Sequence, residues 1–200
     1  MQILRRSKII RLNSKYYNNL INKIIDNSET ATWQDAVLEW AVVDCEEDEE
    51  LLSSCVCGKE NLRYLFTIRN VYNRNILYPI GSSCIKKFER NELNYDVSIR
   101  EQLFKLLHAI ENNNYISLSS EFFSRKLIKF LYDSGAFKAT IYNNQRPIND
   151  YKFLLNMFNK RDKDSISSAQ NKKINAIILS SVNPFLMNML QSKIKKKGTS

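Results

Sequence analysis

Glycine, proline and histidine are scarce in this sequence, which has four Gly, three Pro and one His among 200 residues. Four glycines cannot build a glycine-rich cradle for a dinucleotide, and no G-x-x-x-x-G-K-[ST] phosphate loop is present. The single histidine, His108, rules out an H-E-x-x-H zinc motif and leaves a cysteine nucleophile only one imidazole base. We therefore predict no catalytic residues and a protein that is not an enzyme.

Long apolar runs are also missing. No window approaches the roughly 18 apolar residues of a membrane span, and residues 1–6 lack the apolar segment and cleavage site of a signal peptide. We expect a cytoplasmic protein that makes no membrane contact. In a reducing compartment of that kind, cysteine thiolates bind metals more readily than they form disulfides.

Apolar and basic residues are abundant in this sequence. Hydrophobic residues make up 44% of the chain, enough for a substantial core. The net charge is +9, and all of it comes from residues 101–200, which hold 16 Lys and Arg against 7 Asp and Glu. This charge predicts contact with nucleic acid or with an acidic protein face. The alternative is a solvated, lysine-rich surface.

The four cysteines lie close together in the second quarter of the chain, at Cys45, Cys55, Cys57 and Cys84. Gly58 follows Cys57, where a turn needs a residue that tolerates positive φ, and Gly81 stands three residues before Cys84. Between the two glycines, residues 62–69 alternate in strand periodicity, and a second short strand at 76–80 contains Pro79, which places it at a sheet edge or ends it. The pattern predicts a knuckle, a hairpin and a cysteine at a helix start.

Such an arrangement brings the C-x-C pair and the distant cysteine to one point, which predicts a structural zinc site. Cys55, Cys57 and Cys84 supply three ligands, and we favour Cys45 as the fourth over His108. Two disulfides, four free thiols or an iron–sulfur cluster remain alternatives. The acidic run 44–50 is predicted as a solvated loop, with mimicry of nucleic-acid phosphates as the alternative, because it lacks the pattern of a calcium loop.

The predicted fold class is α+β, a zinc-bound hairpin module followed by a mainly helical, basic half. The boundary is placed at 95/96, giving regions 1–95, with the zinc module at 45–90, and 96–200, which together can form one continuous domain. Apolar spacing predicts helices over 15–26, over 99–112 with Ser98 as cap, and over about 150–160. It also predicts a helix that starts after the serines at 117, 119 and 120 and ends before Gly135, and a last helix through 174–182 that Pro184 kinks or ends. Residues 1–12 are predicted as a strand or arm, 137–142 as a strand, and 192–200 as a basic tail.

Several segments together resemble a known cysteine module. They are Glu39-Trp40, Asp44–Asp48, Cys55-Val56-Cys57-Gly58-Lys59, Ile68-Arg69-Asn70 and Tyr78–Phe88, so the likeness covers about residues 33–90. The module is found in small proteins of phages and prophages of Gram-positive bacteria, some of which are type II anti-CRISPR proteins. The resemblance implies a phage protein that inhibits the CRISPR effector nuclease of its bacterial host by protein–protein interaction. It gives no partner-binding residues, and a phage regulatory protein that binds nucleic acid is the alternative.

Overall fold

The computed structural model describes residues 15–189. By its internal contacts the chain divides into two compact units, Met1–Val97 (unit 1) and Ser98–Ser200 (unit 2). The predictions for the N-terminal arm and for the basic tail at 192–200 lie outside the described residues. The described elements are helices and one three-stranded antiparallel sheet, so the α+β prediction is confirmed.

Unit 1 is built around the sheet, whose strand order is β1-β2-β3. Its elements are α1 (Lys15–Ile25), α2 (Trp33–Ala36), a 3-10 turn (Val37–Glu39), β1 (Trp40–Glu47), β2 (Tyr64–Asn70), β3 (Ile76–Ile80), α3 (Ser82–Ile85) and a second 3-10 turn (Lys86–Phe88). The predicted hairpin is present as β2 and β3. Pro79 lies in an edge strand, where a missing backbone N–H does least harm to the ladder.

Strand β1 corrects the prediction of an acidic loop. Asp44, Glu46 and Glu47 are strand residues, and they pair with Thr67, Leu65 and Tyr64 of β2. Successive side chains of a strand point to opposite faces, so the run buries Cys45 while Asp44 and Glu46 on the other face remain partly exposed. Glu47 lies on the Cys45 face, where its carboxylate pairs with the Arg63 guanidinium at 2.8 Å. Only from Asp48 onward does the run turn, with Asp48 accepting the backbone N–H groups of Glu50 and Ser53.

The helices of unit 1 pack through an aromatic cluster centred on Trp33. Its ring meets Tyr17 of α1 edge-on at 6.0 Å and Phe88 at 5.6 Å between centroids. The core of unit 1 contains fully buried side chains from the sheet and helices, among them Leu20, Ile24, Trp40, Phe66, Ile68, Ile80 and Ile85. Edge-to-face pairs of this kind add to the free energy gained by burying the rings.

One carboxylate, Glu39, is buried inside unit 1. It accepts hydrogen bonds from the backbone N–H groups of Glu29 and Thr30 at 2.8 and 2.9 Å, from the Thr30 hydroxyl at 2.7 Å and from the Asn70 amide at 2.5 Å. Burial acts to raise the pKa of Glu39, but the hydrogen bonds outweigh it and lower the pKa to about 2. The ionised carboxylate therefore joins the turn after α1 to the end of β2.

Helix α4 (Asn91–Glu111) contains the division between the two units, and α5 (Arg125–Asp133), a 3-10 turn (Ile141–Asn143), α6 (Pro147–Asn159) and α7 (Ser168–Ile177) follow it. Two predicted helix starts are wrong. Ser98 lies inside α4, because Leu93 and Val97 are buried one turn apart and extend the apolar face. Ser124, rather than Ser117, Ser119 or Ser120, caps α5 by accepting the Leu127 N–H.

Two further predictions concern residues 137–142 and Pro184. The predicted strand is absent, since residues 138–140 carry no regular structure and a 3-10 turn follows them. Pro184 is predicted to kink or end the last helix, and it does not end it: a π-helical turn (Ile178–Val182) interrupts the α-helix just before the proline, and residues 183–189 are helical. In the π-turn the backbone N–H groups bond to carbonyls five residues back, and this change of register accommodates a proline, which has no N–H to donate.

The apolar centre of unit 2 lies between α5 and α6. Leu127, Ile128 and Leu131 of α5 are fully buried, as is Leu154 of α6. Outside this layer, Tyr132 and Tyr151 stack with centroids 4.8 Å apart. Within residues 15–189, no helix combines the length and the apolar character needed to cross a membrane.

Candidate metal centre

Cys55 and Cys57 lie in a tight knuckle turn. The Gly58 N–H donates to the Cys55 carbonyl at 2.7 Å, and the Cys55 N–H donates to the Lys59 carbonyl at 2.8 Å. Gly58 has φ of +90°, as the sequence predicts, and a side chain at this position would strain the backbone. The Asn19 amide of α1 donates to the Cys57 carbonyl at 3.0 Å and so holds the turn from outside.

The knuckle is attached to the free edge of β3. Val56 donates its N–H to the Pro79 carbonyl at 2.8 Å, and Leu62 closes the segment by donating to the Ser53 carbonyl at 3.0 Å. Because β3 is the edge strand of the described sheet, its outward carbonyls are available for this contact. The two cysteines of the turn therefore lie beside the end of β3, where the chain enters α3.

Cys84 reaches the same point from the first turn of α3. Gly81 precedes this helix, and a Cβ atom at Gly81 would lie 3.0 Å from a methyl of Leu62, so glycine allows the close approach of the two segments. Gly81 also donates its backbone N–H to the Cys55 sulfur at 3.4 Å. The hairpin thus delivers the distant cysteine to the C-x-C pair.

The three sulfurs have the spacing of metal ligands. Cys84 Sγ lies 3.7 Å from Cys55 Sγ and 3.5 Å from Cys57 Sγ, and all three lie within 4.8 Å of one another. Two sulfurs bound at about 2.3 Å to a tetrahedral ion are about 3.8 Å apart, whereas disulfide sulfurs are about 2.0 Å apart. None of the four cysteines forms a disulfide, so that alternative is not what the structure shows, and the group of three fits a metal ion.

The electrostatics of the group also favour a cation. The hydrogen bond with Cys84, helped by the backbone N–H groups of Cys57 and Gly81, lowers the pKa of Cys55 to about 5. Burial raises the pKa of Cys57, and the contact with Cys55 raises the pKa of Cys84. One thiolate thus forms readily while its neighbours keep their protons, because three buried negative charges repel one another. A bound cation removes that repulsion and displaces the remaining protons.

Among residues 15–189, neither Cys45 nor His108 is a member of this group of three. Cys45 is buried on β1, where its thiol donates to the Glu46 carbonyl at 3.7 Å. Strand β1 is two strands away from β3, a separation of roughly 9–10 Å. His108 lies in α4, with Nδ1 3.4 Å from a carboxylate oxygen of Glu111. Cys45 as fourth ligand stays a prediction that the described geometry does not satisfy.

No other side chain of the usual ligand types completes the set. Every His, Cys, Asp and Glu of the chain falls within residues 15–189, and among these described residues only the three cysteines form such a group. The contributions of Asn19 and of the Gly81 N–H were not predicted, because both depend on contacts between segments distant in sequence. The C-x-C-G and G-x-x-C motifs were the signals that located the centre.

No protein-family model, no curated protein and no solved structure matches this chain. The centre is therefore interpreted from its own chemistry. Thiolates are soft ligands that select Zn²⁺, Cu⁺ or iron–sulfur clusters. The common iron–sulfur clusters take four cysteines, one more than the three that the structure gathers.

Proposed function

We propose that Cys55, Cys57 and Cys84 hold one zinc ion that braces unit 1. The observation that carries this proposal is the spacing of three buried sulfurs, whose separations are close to those between the corners of a tetrahedral zinc–sulfur site. Three protein ligands are also the number found in catalytic zinc sites. Here, however, each cysteine is at most 4% exposed, which leaves a substrate little access to the ion. Burial therefore supports a structural role.

The activity that we propose rests on binding rather than on turnover. The resemblance of residues 33–90 to the phage cysteine module supports a phage-encoded inhibitor of the host type II CRISPR effector nuclease. Such an inhibitor occupies a surface of the ribonucleoprotein that guide, target DNA or a moving domain needs. In this proposal zinc stabilises the fold and takes no part in contact with the nuclease.

A titration tests this function. Purified protein is added to a guide-loaded type II effector at fixed concentration, and cleavage of a DNA target is measured. We expect inhibition that saturates at a fixed molar ratio. Inhibition at traces far below the effector concentration indicates an enzyme instead, and the absence of inhibition and of binding to the loaded effector removes the proposal.

A second candidate function, binding of nucleic acid by unit 2, is favoured by the charge distribution. Unit 2 holds 17 Lys and Arg against 7 Asp and Glu, whereas unit 1 holds 13 against 14. Such a surplus attracts phosphates, and the affinity for duplex DNA then falls with salt by about 0.9 logarithmic units per contacted phosphate. A mobility-shift assay with nucleic acid alone separates the two candidates, because the inhibitor requires the effector.

A further inference from the structure

Unit 2 presents an exposed tip at Lys138–Arg146. The side chains of Ile141 and Tyr142 are 72% and 84% exposed, and Tyr142 is the most exposed large apolar side chain among the described residues. They lie in a 3-10 turn, where the sequence predicted a strand. A ring as exposed as that of Tyr142 contributes little to the packing of unit 2. We therefore look for a binding role for the tip.

The tip is held by one buried amide, Asn143, which is 2% exposed. Its side-chain oxygen accepts the backbone N–H groups of Thr140 and Arg146 at 2.9 and 3.1 Å. Its nitrogen donates to the Lys138 carbonyl at 2.8 Å and to the Asp150 carboxylate at 2.6 Å. An amide can make four such bonds, and Asn143 makes all of them, joining both ends of the tip to α6.

The backbone of the tip is equally constrained. Asn144 and Gln145 both adopt positive φ, 56° and 60°. Residues other than glycine are uncommon in this left-handed region of backbone conformation. The Gln145 N–H donates to the Thr140 carbonyl at 2.8 Å, and the Asn149 amide donates to the Asn143 carbonyl at 2.9 Å. Such ordering lowers the entropy that a partner must remove on binding.

The tip is also positively charged. Lys138 and Arg146 stand at its two ends and are exposed, and no carboxylate lies between them in the sequence. The nearest acidic residue in sequence on the α6 side, Asp150, is buried against Asn143. An exposed aromatic ring between two cations is suited to a ligand that offers flat π-surfaces and phosphates together.

We propose that this tip binds single-stranded nucleic acid, with an unpaired base stacked on Tyr142 and adjacent phosphates at Lys138 and Arg146. The proposal deepens the second candidate function and rests on it. A duplex buries its base faces in the helical stack, so a protruding ring finds a partner only in an unpaired strand. In a single strand every base is attached to a phosphate, so stacking partners and negative charges alternate at a short, regular spacing, whereas an acidic protein surface needs no aromatic ring to supply its charge.

The test is fluorescence anisotropy with labelled single-stranded RNA and DNA of about 12 nucleotides, at about 50 mM salt and again at about 200 mM. We expect Tyr142→Ala to weaken binding by about 5- to 100-fold, as loss of one stacked base does. Tyr142→Phe keeps the ring and should bind almost as well as the wild type. Lys138→Glu with Arg146→Glu should weaken binding and flatten its dependence on salt.

Tyr115→Ala is the matched control, since Tyr115 is 72% exposed in the same unit. Substitution of Tyr142 should leave the melting temperature unchanged because its side chain makes little contact with the fold. If the wild type binds single strands and Tyr142→Ala binds them as well as Tyr115→Ala does, the tip proposal is overturned and the second candidate function stands. If the wild type binds only duplexes, the tip proposal is overturned. If it binds no nucleic acid at all, both the tip proposal and the second candidate function are overturned.

Discussion

The two units differ in the kinds of side-chain contact that stabilise them. Unit 1 joins a small sheet and short helices through polar centres, namely the three buried cysteines and the Glu39 carboxylate. Unit 2 packs the apolar faces of α5 and α6 and leaves most of its charges in solvent. Both units bury many apolar side chains. In unit 1 the cysteine group and the Glu39 network add to this core, whereas among the described residues of unit 2 no cluster of metal-ligating side chains adds to the packing.

The largest expected effect is on the metal centre. Cys84→Ser should abolish metal binding and unfold the segment between Ser53 and Phe88, because structural zinc contributes about 10–16 kcal/mol of apparent binding free energy in small zinc-binding peptides. Metal content, measured by mass spectrometry of the purified protein, should fall from one ion per chain to none. A strong chelator should act in the same way on the wild type.

Hydrogen exchange should show this loss in unit 1, with the helices of unit 2 still protected. Ser83→Ala is the control, since Ser83 is exposed beside Cys84. Metal-free protein with unchanged protection around Cys55 would contradict the structural role of the ion.

The matching experiment in unit 2 is Leu131→Ala. Leu131 is fully buried between α5 and α6, so its truncation should lower the free energy of unfolding by about 2–5 kcal/mol. Denaturant melts measure this change, and metal content should stay at one ion per chain. A loss of metal in this variant would contradict the separation of the two kinds of stability.

A smaller effect is expected at Glu39, whose pKa is lowered to about 2. Glu39→Gln places an amide N–H₂ opposite existing donors and should cost about 2–3 kcal/mol at pH 7. A carboxylate with a lowered pKa stabilises the fold above its ordinary pKa of 4.5 and loses that contribution as the pH falls towards 2. The difference between wild type and variant should therefore shrink below pH 4.5.

Urea melts from pH 7 down to pH 3 measure this difference. Glu60→Gln is the matched control, because Glu60 is exposed in the same unit. A difference that stays constant over that range would show that the charge of Glu39 contributes nothing.

The smallest effect is expected at Cys45. Because its thiol lies on β1, away from the three clustered sulfurs, Cys45→Ala should keep one metal ion per chain and cost about 1 kcal/mol through the small cavity that it leaves. Cys57→Ala removes a thiol of the same size and exposure and should lose the ion. Loss of metal from both variants would establish Cys45 as the fourth ligand, as the sequence predicts.

Local signals in the sequence were sufficient for several features. The C-x-C-G and G-x-x-C motifs located the candidate metal centre, because a knuckle requires a glycine at positive φ and Gly58 provides it. Period-two and period-3.6 spacing found β2, β3, α1 and α6, because each of these elements has one buried face. The charge of unit 2 is likewise a property of composition alone.

The tertiary structure decided the rest. Residues 44–47 form the second half of β1 because they pair with β2, and no property of this acidic run itself indicates a strand. Cys45 lies apart from the other cysteines because the strand order, which local sequence does not encode, places β1 opposite the knuckle. The tip at Lys138–Arg146 takes its form from hydrogen bonds of the Asn143 amide to Lys138 and to Asp150 in the first turn of α6, which the apolar spacing of residues 137–142 does not indicate. Local conformation follows from neighbouring residues, whereas the meeting of distant segments depends on how the whole chain packs.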